Sequence, residues 1–261
     1  MKQGPIRAVF LDWAGTTIDH GSCAPAQVFR EIFAREGVEI TSAEARGPMG
    51  RAKRDHIASI LSIPRVAHLW EQVKSRPASD GDVQRLYEQF LPLQMEVLAQ
   101  HSEVIPGVPE AVEQLRRRGL KIGSSTGYTR ALMEVVIPLA AAGGYAPDAV
   151  QCAEDARAGR PAPWLNFHLA ELLDVYPMSQ VIVVDDTPVG IEAGKNAGAI
   201  TVGITRTGNG MGLSLNELAR LDPAERHQRE GRIAEELLGA GASFVIPSVA
   251  DLPRLVEQLE G

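Results

Sequence analysis

Four short stretches of this 261-residue sequence end in side chains suited to holding a phosphoryl group. The first is Phe10-Leu-Asp-Trp-Ala-Gly-Thr-Thr-Ile-Asp19, in which Asp12 closes an apolar run and can project its carboxylate into a crevice rather than the core. The second is Ser124-Ser125-Thr126-Gly127, where a hydroxyl and the backbone N–H groups of a turn can hold phosphate oxygens. The third is Gly159-Arg160-Pro161, a cation in a tight loop ahead of a helix. The fourth is Val181-Ile-Val-Val-Asp185-Asp186-Thr187-Pro188, an apolar strand ending in two adjacent acids. Adjacent carboxylates repel unless a cation or donors neutralise them, and hard oxygen ligands suit Mg²⁺.

These stretches must be brought together by regular elements. Short apolar runs beside Gly, Asp or Pro predict strands at Ala8 to Leu11, Leu120 to Ser124, Val181 to Val184, Ile200 to Ile204 and Ser243 to Ile246. Helical periodicity alternates with them, at Val108 to Arg118, Arg130 to Ala141, Trp164 to Leu173, Val189 to Ala197 and Pro223 to Leu238. That alternation predicts an α/β fold, a Rossmann-like parallel sheet with helices on both faces. Between 21 and 102 the pattern is helical with almost no strand: Ala26 to Glu36, Met49 to Leu61, Arg65 to Lys74 and Asp80 to Gln100. We expect a core of 1–20 and 103–261 and an inserted all-helical cap of 21–102, seated over the carboxyl ends of the strands where open α/β sheets bind ligands. Asn209 to Gly212 reads as a loop without an assigned role.

Composition limits the partners. A hydrophobic fraction of 44% supports an ordinary packed core. A formal charge of −7 argues against a nucleic-acid surface, which needs clustered cations. The compact basic run Arg116 to Arg118 reads as a solvated helix end. Two cysteines, Cys23 and Cys152, form neither a disulfide framework nor a metal motif. No apolar stretch reaches the roughly 18 residues of a membrane span, so a reducing cytoplasm is the expected location.

The order Asp, Thr, Arg, Asp-Asp resembles the haloacid dehalogenase superfamily over nearly the whole chain. The resemblance implies that Asp12 attacks phosphorus, that Thr126 and Arg160 bind phosphoryl oxygens, and that late carboxylates hold Mg²⁺. Arg160 stands where a lysine is commoner but keeps the charge. Asp186 is the expected direct ligand, with Asp185 acting from behind it. Superfamily phosphatases carry a second acid two residues after the nucleophile, a general acid/base for an ester oxygen. Ala14 can do neither job, although its carbonyl can still face Mg²⁺.

A phosphorus–carbon bond has no oxygen to protonate, and its cleavage needs a sink for the departing electron pair. A protonated lysine imine is such a sink. The insert offers Lys53 in Arg46-Gly-Pro-Met-Gly-Arg-Ala-Lys53-Arg-Asp-His56. Pro48 suits a helix start, which puts Lys53 in the first turns, where the positive dipole end, Arg51 and Arg54 all disfavour an ammonium. His56 falls on the same helical face and can shuttle protons.

The combination of DWAGTT, PMGRAK with His56, STGYTR and GRPAPW resembles the phosphonoacetaldehyde hydrolase family. That resemblance implies a Schiff base on Lys53, a substrate site lined by Met49, Gly50, His56, Thr126, Gly127 and Tyr128, and a homodimer, for which an apolar face on the Ala26 to Glu36 helix is available. The expected reaction is hydrolysis of a small-molecule phosphonate, phosphonoacetaldehyde, to acetaldehyde and phosphate. Two alternatives keep the same residues: an oxygen-ester phosphatase or sugar phosphomutase with Lys53 only binding substrate, and a non-catalytic phosphate-binding module. Cys23 follows Ser22 rather than Gly21 directly, a departure from the family pattern that leaves its thiol without a role.

Overall fold

A computed structural model describes residues 5–98 and 100–261. Its sheet has six strands among these residues: β1 (Ala8–Leu11), β2 (Lys121–Ser125), β3 (Ala149–Gln151), β4 (Val181–Asp185), β5 (Ile200–Ile204) and β6 (Phe244–Ile246). All are parallel, in the order β3-β2-β1-β4-β5-β6. The chain builds outward on one side of β1 and then crosses to the other, so β1 borders the switch point at whose carboxyl end ligands bind.

Strand alternation assigns the two faces. Val9 and Leu11 join Ile122, Ile182 and Val184 in a core closed by α6 (Val108–Arg117), α7 (Arg130–Ala142) and α12 (Leu252–Glu260). Ala8, Phe10, Val181 and Val183 turn the other way, onto Leu169 and Ala170 of α8 (Trp164–Leu172). Beside it, α9 (Pro188–Asn196) and α11 (Pro223–Ala240) meet through Ile191, Ile233 and Leu237. Burial on both faces is why these strands read as continuous apolar runs.

Between β1 and α6 the chain forms α1 (Cys23–Arg35), α2 (Ser42–Arg46), α3 (Lys53–Leu61), α4 (Pro64–Lys74) and α5 (Asp80–Leu98). They share their own core, in which Phe29, Phe33, Ile57, Ile60, Trp70, Leu86 and Phe90 are buried. The expected helical cap is therefore present. The apolar face of α1 is used within this core, since Val28, Phe29, Ile32 and Phe33 are all buried there. No helix among the described residues is long and apolar enough to cross a membrane.

Several elements lie outside the expected set. β3, α2, α10 (Leu215–Arg220) and α12 are additional. The helix expected over Met49 to Leu61 begins only at Lys53, because Gly50 has φ +88° and Met49 to Arg51 form a turn. The helix expected over Asp80 to Gln100 includes residue 99, outside the described residues. Arg116 to Arg118 end α6 as expected, and each is paired: with Asp148, Glu113, and Glu257 with Glu260.

Candidate active site

Parallel register aligns the three central strand ends. Leu11 lies opposite Ser124 on one side and Val184 on the other, and the Asp12 N–H continues the ladder to the Val184 carbonyl at 3.0 Å. The next side chains out therefore emerge together. Arg160 ties them: its Nη1 lies 2.8 Å from Asp12 Oδ1 and 3.0 Å from Asp185 Oδ2, while Nη2 donates to the carbonyl and Oγ of Ser125, both at 2.9 Å. The guanidinium is buried among these partners, with both terminal nitrogens of its fork engaged.

Asp185 has both oxygens engaged. Oδ2 meets Arg160, and Oδ1 accepts from the Thr187 N–H (2.9 Å) and hydroxyl (2.6 Å) at the start of α9. Asp186 is held more lightly: Oδ2 accepts from the Asn209 N–H at 2.6 Å, and Oδ1 has only a long contact, 3.4 Å, from the Thr16 hydroxyl.

Asp12, Asp185 and Asp186 each bring an oxygen within 4.8 Å of the others, all buried. Burial pushes the Asp12 carboxyl up to about 7 against the pull of Arg160, with Asp185 adding to the rise. Burial, then Asp185 and Asp12, raise Asp186 well above the ordinary carboxylate range. Three buried acids around one arginine lack a positive charge, and an all-oxygen donor set of this kind fits a hard divalent cation such as Mg²⁺.

Thr126 follows β2. Its N–H donates to the Gln151 carbonyl at 3.0 Å, and its hydroxyl accepts from the Tyr128 N–H at 3.0 Å, which shapes a tight turn. The cap comes down on that turn. A Cβ on Gly127 would lie 2.8 Å from the Arg51 carbonyl, and one on Gly50 would lie 2.4 Å from the Thr187 hydroxyl. Glycine at both positions is what lets the Met49–Arg51 turn touch the core directly.

The cavity between cap and core is small, with about 20 Å³ of free volume. Asp12, Ala14, Thr126, Gly127, Tyr128, Arg160 and Asp186 line it from the core, and Met49, Gly50, Arg51 and Lys53 from the cap. Lys53 is 4% exposed, its Nζ 4.7 Å from the centroid of the Tyr128 ring and 5.8–5.9 Å from those of Phe29 and Phe90. Burial lowers its ammonium to about 8; Asp12 opposes this and Arg160 adds to it. The direction matches the sequence expectation but the cause does not, since Arg160 supplies the cationic repulsion expected of Arg51 and Arg54.

His56 lies elsewhere. It stacks on Phe29 with ring centroids 3.8 Å apart, and its Nε2 sits 2.8 Å from the Ala45 carbonyl, which leaves the buried Nδ1 without a protein partner. It is absent from the residues lining the cavity. Burial first, then the charge of Lys53, hold it well below the usual histidine range. The Nε2–H donor is fixed by the carbonyl acceptor, so a proton shuttle from His56 would have to run through Nδ1.

Ser22, Pro25 and Thr187 line the cavity without having been singled out by the sequence, as does Arg51, which the sequence marked only as a charge near Lys53. Ser22 has φ 49°, and its buried Oγ lacks a protein partner, as does the Tyr128 hydroxyl across the cavity wall. Ser22 follows Gly21 where the chain leaves the Asp12 loop for the cap, directly before α1. Cys23 is not among the lining residues: its Sγ lies 3.5 Å from the His20 carbonyl, and burial raises its thiol.

A family model described as haloacid dehalogenase-like hydrolase matches residues 6–198. A "Phosphonoacetaldehyde hydrolase-like protein" of Syntrophobacter fumaroxidans is 43% identical over 98% of this chain and 93% of its own length. The phosphonoacetaldehyde hydrolases of Paraburkholderia xenovorans and Hahella chejuensis are 43% and 45% identical, covering 98% and 99% of this chain and 96% and 88% of theirs. A crystal structure of a phosphonoacetaldehyde hydrolase-like protein from Oleispira antarctica superposes with a TM-score of 0.97 at 40% identity, over 99% of this chain and 94% of that one. A beta-phosphoglucomutase from Clostridium difficile, 17% identical with a TM-score of 0.68 over 98% and 97% of the two chains, shares the fold. The chain belongs to the haloacid dehalogenase-like hydrolases and, within them, to the family whose members are called phosphonoacetaldehyde hydrolases.

Proposed function

We propose that this enzyme hydrolyses the carbon–phosphorus bond of phosphonoacetaldehyde, giving acetaldehyde and phosphate, through a Schiff base on Lys53 and an aspartyl phosphate on Asp12. The observation that carries the reading is that a buried lysine near neutrality, on the cap, and a buried aspartate, on the core, line one cavity whose wall has Ala14 in place of a second acid. The cap is taken as 21–102 and the core as 1–20 and 103–261, so closure is what brings the two groups together.

The steps balance. The neutral Lys53 amine adds to the aldehyde carbon and water leaves, forming a protonated imine. An Asp12 oxygen attacks phosphorus in line with the departing carbon, the C–P electron pair moves into the imine, and the product is an enamine with a neutral nitrogen. Protonation of the enamine carbon and attack of water on the imine release acetaldehyde and return Lys53. A second water cleaves the aspartyl phosphate, so one water is consumed overall.

Arg160 and the Thr126 turn offset phosphoryl charge through these steps, and the Asp185 contacts keep Arg160 aimed. Mg²⁺, held by Asp12, Asp186 and the Ala14 carbonyl with Asp185 behind, would neutralise charge on the phosphoryl oxygens as a Lewis acid. Met49, Gly50 and Tyr128 shape the two-carbon pocket. His56 and the Tyr128 hydroxyl are candidates for proton transfer.

The test is an assay for acetaldehyde and phosphate in equal amounts from phosphonoacetaldehyde, followed by borohydride reduction during turnover. A two-carbon adduct on Lys53 is expected. Phosphate release from oxygen esters with no acetaldehyde from the phosphonate, or an adduct on another lysine, would replace this reading with that of an ordinary phosphatase.

A further inference from the structure

Arg46 is the last residue of α2 in the cap, and Asn209 belongs to a core loop between β5 and α10. An arginine presents five N–H donors in a fixed fork, and left half-buried it must find acceptors for them. Here Nη1 donates to the Gly21 carbonyl (2.7 Å) and the Ser22 carbonyl (3.2 Å), where the chain leaves the core for the cap. The same nitrogen donates to Asn209 Oδ1 at 3.1 Å, and Nη2 to the Gly212 carbonyl at 3.3 Å. Asn209 answers with its Nδ2, which donates to the Arg46 carbonyl at 3.2 Å. Cap, connecting segment and core loop are thus joined at one side chain.

The backbone N–H of the same Asn209 donates to Asp186 Oδ2 at 2.6 Å. Asp186 is otherwise held by its own backbone N–H and by the long Thr16 contact, so this bond helps set which carboxylate oxygen is free for a cation. Arg46 and Asp186 thus share one partner, Asn209.

We propose that Arg46 and Asn209 form a latch that holds the cap shut and, in the same act, orients Asp186 for its cation. The proposal rests on the reading in which Lys53 is the cap's reactive amine and Asp186 a metal ligand. Both latch residues are positioning residues, since neither lines the cavity. The cavity is small and lies between cap and core, so cap opening widens the route by which a two-carbon phosphonate enters, and on this reading the latch breaks and re-forms in each turnover. Closure and metal-site geometry are then coupled reciprocally: Mg²⁺ favours the shut cap, and the shut cap favours Mg²⁺.

The experiment uses the full chain with Arg46→Met, which keeps the apolar stem and removes the donors, Asn209→Ala, which keeps the N–H to Asp186, and the double variant. Three quantities are read: the rate at which trinitrobenzenesulfonate modifies Lys53, followed by mass spectrometry; Mg²⁺ affinity without substrate, by calorimetry; and the urea midpoint. Modification of Lys53 should quicken about fivefold or more in each single variant as the cap opens more often. Mg²⁺ binding should weaken about threefold or more in Arg46→Met. The double variant should be no worse than Arg46→Met, because the two side chains act as one unit.

A merely structural anchor predicts something else: a lower urea midpoint with Lys53 modification and Mg²⁺ affinity unmoved below the transition, and effects that multiply in the double variant. Either result overturns the latch. Should Arg46→Met fail to fold, Arg46→Lys takes its place, since a point charge replaces the fork and should give intermediate values of both readouts. Failure of the underlying site is distinguishable, because the wild type would then neither bind Mg²⁺ nor release acetaldehyde, while Lys53 modification still reports on the latch.

Discussion

The Nζ of Lys53 lies 4.7 Å from the centroid of the Tyr128 ring, a contact between the first residue of a cap helix and a loop of the core. It places the lysine within an apolar wall rather than in solvent, and the phenol beneath it is itself buried, its hydroxyl raised well above the ordinary range by burial and then by Asp19 and Asp12. An amine so placed is poor as an ammonium and good as a nucleophile.

Replacing Lys53 with arginine separates charge from chemistry. Arg keeps the cation but stays protonated and cannot form an imine. Cleavage of phosphonoacetaldehyde should fall by several powers of ten, each about 1.4 kcal/mol of barrier, while phosphate binding persists. Retention of more than about a tenth of the wild-type rate would rule out the Schiff base.

Burial of Lys53 also has a cost that depends on pH. Its ammonium is lowered from 10.5 to about 8, so between those values the unfolded chain holds a proton that the folded chain has lost, and stability rises with pH through that window. Below about 8 the full penalty is present, on the order of 3 kcal/mol. Lys53→Met should accordingly stabilise the fold at pH 7 by an amount of that order and by much less near pH 10.5. Urea titrations of both proteins at the two pH values check this; an equal difference at both would contradict the assigned cause.

Ala14→Asp adds a carboxylate beside Asp12 and the cation site. With no leaving oxygen to protonate, turnover of the phosphonate should not improve, while slow hydrolysis of phosphate esters should appear. Parallel assays on phosphonoacetaldehyde and a simple aryl phosphate decide it, and a faster phosphonate reaction would count against the role assigned to the alanine.

Much of this molecule was legible from local pattern. Apolar runs beside Gly, Asp or Pro marked five of the six described strands, and in β1 and β4 the cause is burial on both faces, which leaves that signature in the strand's own residues. Asp12, Thr126, Arg160 and the Asp185–Asp186 pair could be picked out for the same reason: each stands just beyond a run or turn visible in the chain. Lys53 stood out because Ala14 removes one chemistry and a lysine beside a turn offers another. The short β3 was not legible, since three residues carry too little periodicity to register.

What only the tertiary structure decided is how distant groups act on one another. That a single Arg160 nitrogen bridges Asp12 and Asp185, that Arg160 rather than Arg51 and Arg54 helps lower Lys53, and that His56 turns to the Ala45 carbonyl are all matters of packing. The loop at Asn209 looked idle in the sequence, yet it meets Arg46 across 163 residues of chain. Periodicity and turn chemistry are properties of neighbours along the chain, whereas burial and Coulomb interactions depend on separation in space, which the chain order of Asp12, Lys53, Arg160 and Asp186 does not encode until the cap closes on the sheet.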